Sequence, residues 1–72
     1  MKYLIIIEKA GENYSAYVPD LPGCIAAADT FEETERLIRE GIAIYIEELR
    51  ATGEPIPPPT TRAAEVDVPI SA

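Results

Sequence analysis

Residues 28–53 have the sequence ADTFEETERLIREGIAIYIEELRATG, which predicts a single long amphipathic helix. Apolar side chains recur there at steps of three and four residues, the spacing that aligns them on one face of an α-helix. The stripe comprises Phe31, Thr34, Ile38, Ile42, Tyr45 and Leu49, and Leu37, Ile44 and Ile46 widen it. We therefore expect one face of this helix to pack on the rest of the fold.

The two ends of the helix are marked by capping residues. Thr30 and Glu33 have the spacing of a capping box, in which the Thr30 hydroxyl accepts the Glu33 N–H and the Glu33 carboxylate reaches back to the Thr30 N–H. Gly53 is a helix-ending glycine, and Pro55 prevents the helix from continuing. Gly41 lies in the helix interior, where glycine costs about 1 kcal/mol relative to alanine. It predicts close approach of another backbone, either the sheet or a neighbouring subunit, and we favour the sheet.

The residues before the helix predict three antiparallel strands. Residues 3–7 are apolar on both faces, which is typical of a central strand. A polar turn at 9–13 leads into a second strand at 14–18, and residues 24–28 form a third strand of small side chains. Together with the helix and a final strand, these segments predict an α+β fold. It has two layers in the order β-β-β-α-β, with an antiparallel sheet and the long helix packed on one face.

The residues after the helix divide into a spacer and a tail of the same single domain. Residues 54–63 are rich in proline and predict a stiff, extended strap that follows the core of residues 1–53. Residues 64–72 predict an edge strand, because Val66 and Val68 alternate with acidic residues. An edge strand invites pairing with another chain, so we expect this tail to mediate dimerisation or partner binding. Pairing within its own sheet remains the alternative.

The composition predicts a small protein that relies on association. Seventy-two residues bury a thin core, and small domains usually need a disulfide, a metal or a partner subunit. One cysteine and no histidine exclude an internal disulfide and a tetrahedral Cys/His zinc site, so a homodimer or higher homo-oligomer is expected. Six basic and thirteen acidic residues give a net charge of −7, which disfavours direct nucleic-acid binding. With no signal peptide or membrane span, we expect a soluble, cytoplasmic protein.

No constellation of catalytic residues is evident. The absence of histidine removes the commonest general base, so we predict no catalytic, cofactor-binding or metal-binding residues and no enzymatic activity. Cys24 is interpreted as a small core residue. A remnant Mg²⁺-dependent nuclease, using Asp20, Asp29, Glu8 and Glu12, is the enzymatic alternative.

Two motifs resemble the HicB-like antitoxin family. The first is Tyr17-Val18 followed by Pro19-Asp20-Leu21-Pro22-Gly23-Cys24, and the second is Ala28-Asp29-Thr30 before an acidic helix start. A late Tyr45-Ile46-Glu47-Glu48-Leu49 also matches, and the resemblance covers about residues 1–55. Ala28 replaces the usual glycine of the family, a minor departure if the backbone there tolerates a side chain. Many members add a C-terminal DNA-binding module, which this sequence lacks, so autorepression through DNA is not expected.

The resemblance implies a partial ribonuclease-H-like fold without its catalytic carboxylates. It also implies a bacterial-type toxin–antitoxin system and a partner, HicA, which is a small basic mRNA-cleaving toxin with a catalytic histidine. An antitoxin of this type covers the RNA surface and the active site of its toxin, and an acidic chain complements such a basic surface. An orphan homo-oligomeric module that regulates something else is the second hypothesis.

Most motif residues have structural roles that suffice to explain them. Pro19, Pro22 and Gly23 shape a turn, and Thr30 caps the helix. The expected partner contacts are Glu32, Glu35, Glu47, Glu48, Val66 and Val68.

Overall fold

The computed structural model describes residues 1–71 and confirms the α+β fold. It contains β1 (Ile6–Ala10), β2 (Asn13–Tyr17), β3 (Ile25–Ala28) and α1 (Phe31–Thr52). The strands form an antiparallel meander in the order β1-β2-β3, and α1 lies across one face of the sheet. The central strand is therefore β2, and the prediction of a central strand at residues 3–7 is wrong within the single chain. The apolar run starts before the hydrogen-bonded strand, which begins at Ile6.

The β1–β2 hairpin sets the register of the sheet. Ala10 pairs with Asn13, which leaves a two-residue turn of Gly11 and Glu12. Gly11 has a φ of 64°. A positive φ at the first turn residue suits a tight antiparallel hairpin. From this turn the pairing runs back to Ile6 opposite Tyr17, so residues 1–5 extend beyond the paired strand.

The core lies between the sheet and the middle of α1. Its buried apolar residues are Ala16, Val18, Leu21, Cys24 and Ile38. Thr34 is also fully buried, and its hydroxyl donates a hydrogen bond of 2.7 Å to the carbonyl of Thr30. This bond satisfies a polar group that would otherwise destabilise the core. Burial raises the pKa of the Cys24 thiol, which fits a small core residue rather than a reactive thiolate.

Both predicted helix ends are confirmed, although only one of the two capping-box hydrogen bonds forms among the described residues. The Thr30 hydroxyl accepts a hydrogen bond of 3.1 Å from the Glu33 N–H. At the other end Gly53 is left-handed, with a φ of 73°, and the N–H groups of Gly53 and Glu54 donate to the carbonyls of Arg50 and Leu49. This pair of hydrogen bonds forms a Schellman motif, which satisfies carbonyls that the helix leaves unpaired.

The residues at the centre of the predicted helix stripe do pack on the sheet, but the predicted stripe includes one residue too many at its edge. Thr34 and Ile38 are fully buried, and Ile42 and Tyr45 pack partly buried against the core. Ile44 is 61% exposed, so its inclusion in the packed face was wrong. The reason is geometric, because successive side chains are about 100° apart around the helix axis. Ile44 therefore points roughly 120° away from Ile38 and misses the narrow three-stranded sheet.

The C-terminal strand predicted within residues 64–72 does not form in the single chain. Residues 54–71 belong to neither a helix nor a strand, and Val66 and Val68 are 79% and 69% exposed. Ala72, the last residue of the predicted segment, lies outside the described residues. The alternating pattern is present, but a strand needs a neighbouring edge for its hydrogen bonds.

The molecule is elongated, with extents of 55, 27 and 16 Å along its three principal axes.

Candidate protein-binding site

The loop between β2 and β3 is folded as a compact, closed turn. The Leu21 N–H donates to the Val18 carbonyl at 3.1 Å, and the Cys24 N–H donates to the Leu21 carbonyl at 3.1 Å. The Val18 N–H closes the loop with a 3.2 Å bond to the Cys24 carbonyl. Leu21 is fully buried, and Gly23 has a φ of 83°. That backbone conformation favours glycine, so the motif holds the start of β3 in place.

The loop is connected to the helix through Tyr45. Its hydroxyl donates a hydrogen bond of 2.9 Å to the Pro22 carbonyl. Pro22 and Gly23 are exposed, so this bond forms at the edge of the core. The two sequence motifs, in the loop and in the last part of the helix, are therefore one structural unit.

Asp20 holds the strap. Its Oδ2 accepts hydrogen bonds of 3.0 Å from the backbone N–H groups of Thr60 and Thr61. Its Oδ1 accepts from the two hydroxyls, at 3.2 Å from Thr60 and 2.7 Å from Thr61. These bonds to the charged carboxylate, those of Thr61 first, hold the pKa of Asp20 below its ordinary value of 3.8. We call this contact the Asp20 clasp.

Sequence reasoning missed the Asp20 clasp, although it placed Asp20 in the motif. Asp20 and Thr60 are 40 positions apart, and no spacing rule connects residues at that separation. The available signal was chemical: two consecutive threonines follow a run of prolines and offer two N–H and two O–H donors together. A second attachment lies at the other end of the strap, where the Tyr3 hydroxyl donates to the Pro57 carbonyl at 2.5 Å. Residues 57–61 are therefore held against the body at both ends.

The acidic residues predicted as partner contacts fall into two groups. Glu32 and Glu35 lie near the start of α1, and Glu47 and Glu48 lie near its end. With a rise of about 1.5 Å per residue, the two groups are about 20 Å apart along the helix axis. The Glu35 Oε1 lies 3.8 Å from the Arg39 Nη2. Within residues 1–71, Glu32, Glu47 and Glu48 have no cationic nitrogen within 4 Å. The structure thus does not bring the predicted acids into one patch.

An open groove lies beside the C-terminal group of acids. Its volume is about 460 Å³, and it is lined by Tyr45, Glu48, Leu49, Ala51, Thr52 and Glu54. The groove has apolar walls and two carboxylates, so its chemistry suits a lysine or arginine side chain from a partner. We call it the acidic groove.

The remaining predicted contacts and motif residues lie apart from the acidic groove. Asp29 is exposed beside the helix cap, and Val66 and Val68 are exposed on the tail. Across residues 1–71 no three acidic or cysteine side chains lie close enough together to hold a metal ion. In the same range, no helix is both long and apolar enough to cross a membrane.

Comparison with known proteins places this fold among antitoxin-related chains. The family model described as the HicB-like antitoxin of bacterial toxin–antitoxin systems matches residues 3–69. A UPF0150 protein of Thermoplasma acidophilum is 43% identical over 58 residues, covering 79% of this chain and 84% of the relative. A UPF0150 protein of Synechocystis sp. is 43% identical over 56 residues, covering 76% and 71%.

Two further matches are to a phage protein and to a chain of a solved complex. A 14.9 kDa protein of Haemophilus phage HP1 is 40% identical over 57 residues, and this chain spans only 43% of its length. A chain of the solved HicA3 and HicB3 toxin–antitoxin complex superposes with a TM-score of 0.69 at 38% identity. That match covers 82% of this chain and 70% of the other.

Proposed function

Because this chain belongs to the HicB-like antitoxin family, we propose that it binds and neutralises a small, basic, mRNA-cleaving toxin of the HicA type. The observation that carries the proposal is the similarity to a chain of the HicA3 and HicB3 complex, at 38% identity over 82% of this chain. A toxin that cleaves mRNA acts in the cytoplasm, so the proposed complex forms there. The chain contributes binding rather than catalysis.

The charge of the chain supports this choice of partner. A protein that binds RNA needs a cationic surface, and this chain carries a net charge of −7. Opposite charges of this kind accelerate association and direct the partners toward the correct orientation. A protein that covers the cationic surface of the toxin competes directly with RNA for it.

We place the main electrostatic contact at the acidic groove. Glu47 and Glu48 lie within about a turn and a half of the helix C-terminus, where the helix dipole disfavours negative charge. Glu48 and Glu54 are the two carboxylates that line the groove, and Glu47 precedes Glu48 just outside the lining. A bound lysine or arginine would relieve this unfavourable arrangement, whereas solvent alone only screens it. The N-terminal acids Glu32 and Glu35 are stabilised by the same dipole and gain less from a cationic partner.

The first test is capture of the toxin. The tagged chain is recovered from its own host and analysed by native mass spectrometry, and the co-purified protein is assayed for RNA cleavage with and without the chain. We expect a small, basic, histidine-containing nuclease in a fixed ratio, inhibited when the chain is added. Recovery of the chain only with itself would favour the alternative function of an orphan homo-oligomeric module.

The second test locates the contact. The double substitution Glu47→Lys with Glu48→Lys should weaken toxin binding by about 10-fold or more and reduce its salt dependence, because two of the charges that face the partner are reversed. Glu8→Lys with Glu12→Lys is the control with the same change in net charge, since both side chains are exposed and lie outside the acidic groove. Equal losses in the two variants would show that only net charge matters and would contradict the assignment of the contact.

A further inference from the structure

We propose that residues 65–70 of one copy of this chain dock as an added strand in a groove beside β1 of a second copy, and that the two copies exchange these tails reciprocally. The proposal does not depend on the toxin, because both surfaces belong to this chain. It rests on the pattern of the tail, the chemistry of the groove and the direction in which the strap leaves the body.

The tail has the pattern of a strand with one apolar side. Val66, Val68 and Ile70 alternate with Glu65, Asp67 and Pro69. The three apolar side chains are 79%, 69% and 87% exposed. Alternation of this kind normally buries one side of a strand. Pro69 lacks a backbone N–H, which a strand tolerates at an edge, so the tail is suited to being the outermost strand of another sheet.

A free sheet edge with an adjoining groove is available at β1. Only one side of β1 is paired, with β2, and residues 1–5 extend the same edge without a strand partner among the described residues. Between this edge and α1 lies an open groove of about 360 Å³. It is lined by Met1, Lys2, Tyr3, Ile5, Arg39 and Ile42, and we call it the basic groove.

The charges of the tail and the basic groove are complementary. Val66 and Val68 would pack on the apolar lining provided by Ile5 and Ile42. Glu65 and Asp67 would face the other way, and the long side chains of Lys2 and Arg39 would reach them at the rim of the groove. These are two of only six cations in the chain. Arg39 lies 3.8 Å from Glu35. A guanidinium has five N–H donors, however, and retains capacity for a second carboxylate.

The strap directs the tail away from the basic groove of its own chain. Pro57 is bonded to Tyr3 on the β1 side, whereas Thr60 and Thr61 are bonded to Asp20, which follows β2. The strap therefore runs from the β1 side toward the β2–β3 loop, and the tail leaves the body at that loop. A tail that is aimed away from its own basic groove is free to reach that of a second copy. Reciprocal exchange would bury two apolar tails in one dimer, which suits a domain with a thin core.

The test is the mass of the purified full-length chain in solution, measured by light scattering over a range of concentrations without any toxin. The wild-type chain should be a dimer. Val66→Asp with Val68→Asp should shift the dimer dissociation constant by at least 100-fold and give a monomer, because the apolar contact is replaced by two charges. Ile44→Asp is the matched control: Ile44 is 61% exposed on the helix, away from both surfaces, and should leave the dimer intact.

Charge exchange makes the test specific for the two surfaces. Glu65→Lys with Asp67→Lys should weaken the dimer, and Lys2→Glu with Arg39→Glu should weaken it similarly. The chain carrying all four substitutions should recover most of the affinity, because each ion pair is restored with reversed sign. A monomeric wild type, a dimer insensitive to the valine substitutions, or failure of the fourfold variant to recover would each overturn the proposal. Far-ultraviolet circular dichroism verifies that every variant is folded.

Discussion

Replacement of Gly41 by alanine should stabilise this protein, although an interior helix glycine suggests a need for close backbone approach. Glycine in the interior of a helix costs about 1 kcal/mol relative to alanine. A methyl group on Gly41 would lie 3.8 Å from the Cys24 Sγ, which is an ordinary van der Waals distance. The prediction of close backbone approach at Gly41 is wrong within the single chain: the nearest atom belongs to the side chain of Cys24, just before β3, and leaves room for a methyl group. The substitution therefore gains helix propensity without a clash.

The expected gain is about 1 kcal/mol in the free energy of unfolding. The added methyl group is partly buried, so apolar burial contributes at most a few tenths of a kcal/mol more. For a domain of this size a gain of about 1 kcal/mol raises the melting temperature by roughly 4–8 °C. The measurement is thermal unfolding followed by circular dichroism, at one fixed protein concentration because association also contributes to stability.

Two control variants separate the propensity effect from other causes. Ala43→Gly changes an exposed helix position in the opposite sense and should lose about 1 kcal/mol. Gly53 has a φ of 73°, which side chains rarely adopt. Gly53→Ala should therefore lose about 1–2 kcal/mol. Gly41→Ala could instead lower the free energy of unfolding by about 1 kcal/mol or more, which is as large as the expected gain in helix propensity. That result would mean that another backbone occupies the space beside Gly41 in solution. The reasoning from the single chain would then be refuted, and contact with a second subunit would explain the glycine at position 41.

Three further predictions concern the core, the helix cap and the Asp20 clasp. Ile38→Ala should cost about 2–5 kcal/mol in urea unfolding, because Ile38 is fully buried at the centre of the core; a loss below about 1 kcal/mol would show that the core is loosely packed. Thr30→Ala should cost about 1 kcal/mol through loss of the N-cap, whereas Thr30→Ser should be nearly neutral. Because the Asp20 pKa is lowered in the folded chain, the clasp stabilises the strap fully above the ordinary value of 3.8 and is lost as the pH falls through the lowered pKa. The amide protons of Thr60 and Thr61 should therefore be protected from exchange at a pH of about 5, and Asp20→Asn should reduce that protection; equal protection in the two proteins would refute the clasp.

Local patterns in the sequence predict most of the fold. The capping residues predict a helix that begins after Thr30 and ends at Gly53, and both ends are confirmed because capping uses hydrogen bonds within a few residues. The strands were found with small errors at their ends. For β1 the predicted start was Tyr3 and the observed start is Ile6, because an apolar run does not show which of its members form the ladder. The hairpin turn at Gly11 decides that register.

The candidate sites could be predicted only in part, because they depend on contacts between distant segments. Asp20 was recognised within a motif, yet its partners Thr60 and Thr61 could not be foreseen from local spacing. The predicted acidic contacts all lie on α1, but helix geometry places Glu32 and Glu47 about 20 Å apart. Only the C-terminal group therefore lies beside the acidic groove. The partner contacts at the acidic groove and on the tail stay predictions.

The sequence alone determined the class of the fold, the helix with its two ends, the family resemblance and the acidic balance of the surface. These properties follow from residue types and short spacings, which act through local hydrogen bonds and through the summed charge. Only the tertiary structure decided that β1 is an edge and that Asp20 holds the strap. It also decided that the alternating tail remains unpaired in the single chain. Each of these features depends on contacts between segments that are far apart in the sequence. A segment with a strand pattern pairs only where the fold leaves a free sheet edge within its reach.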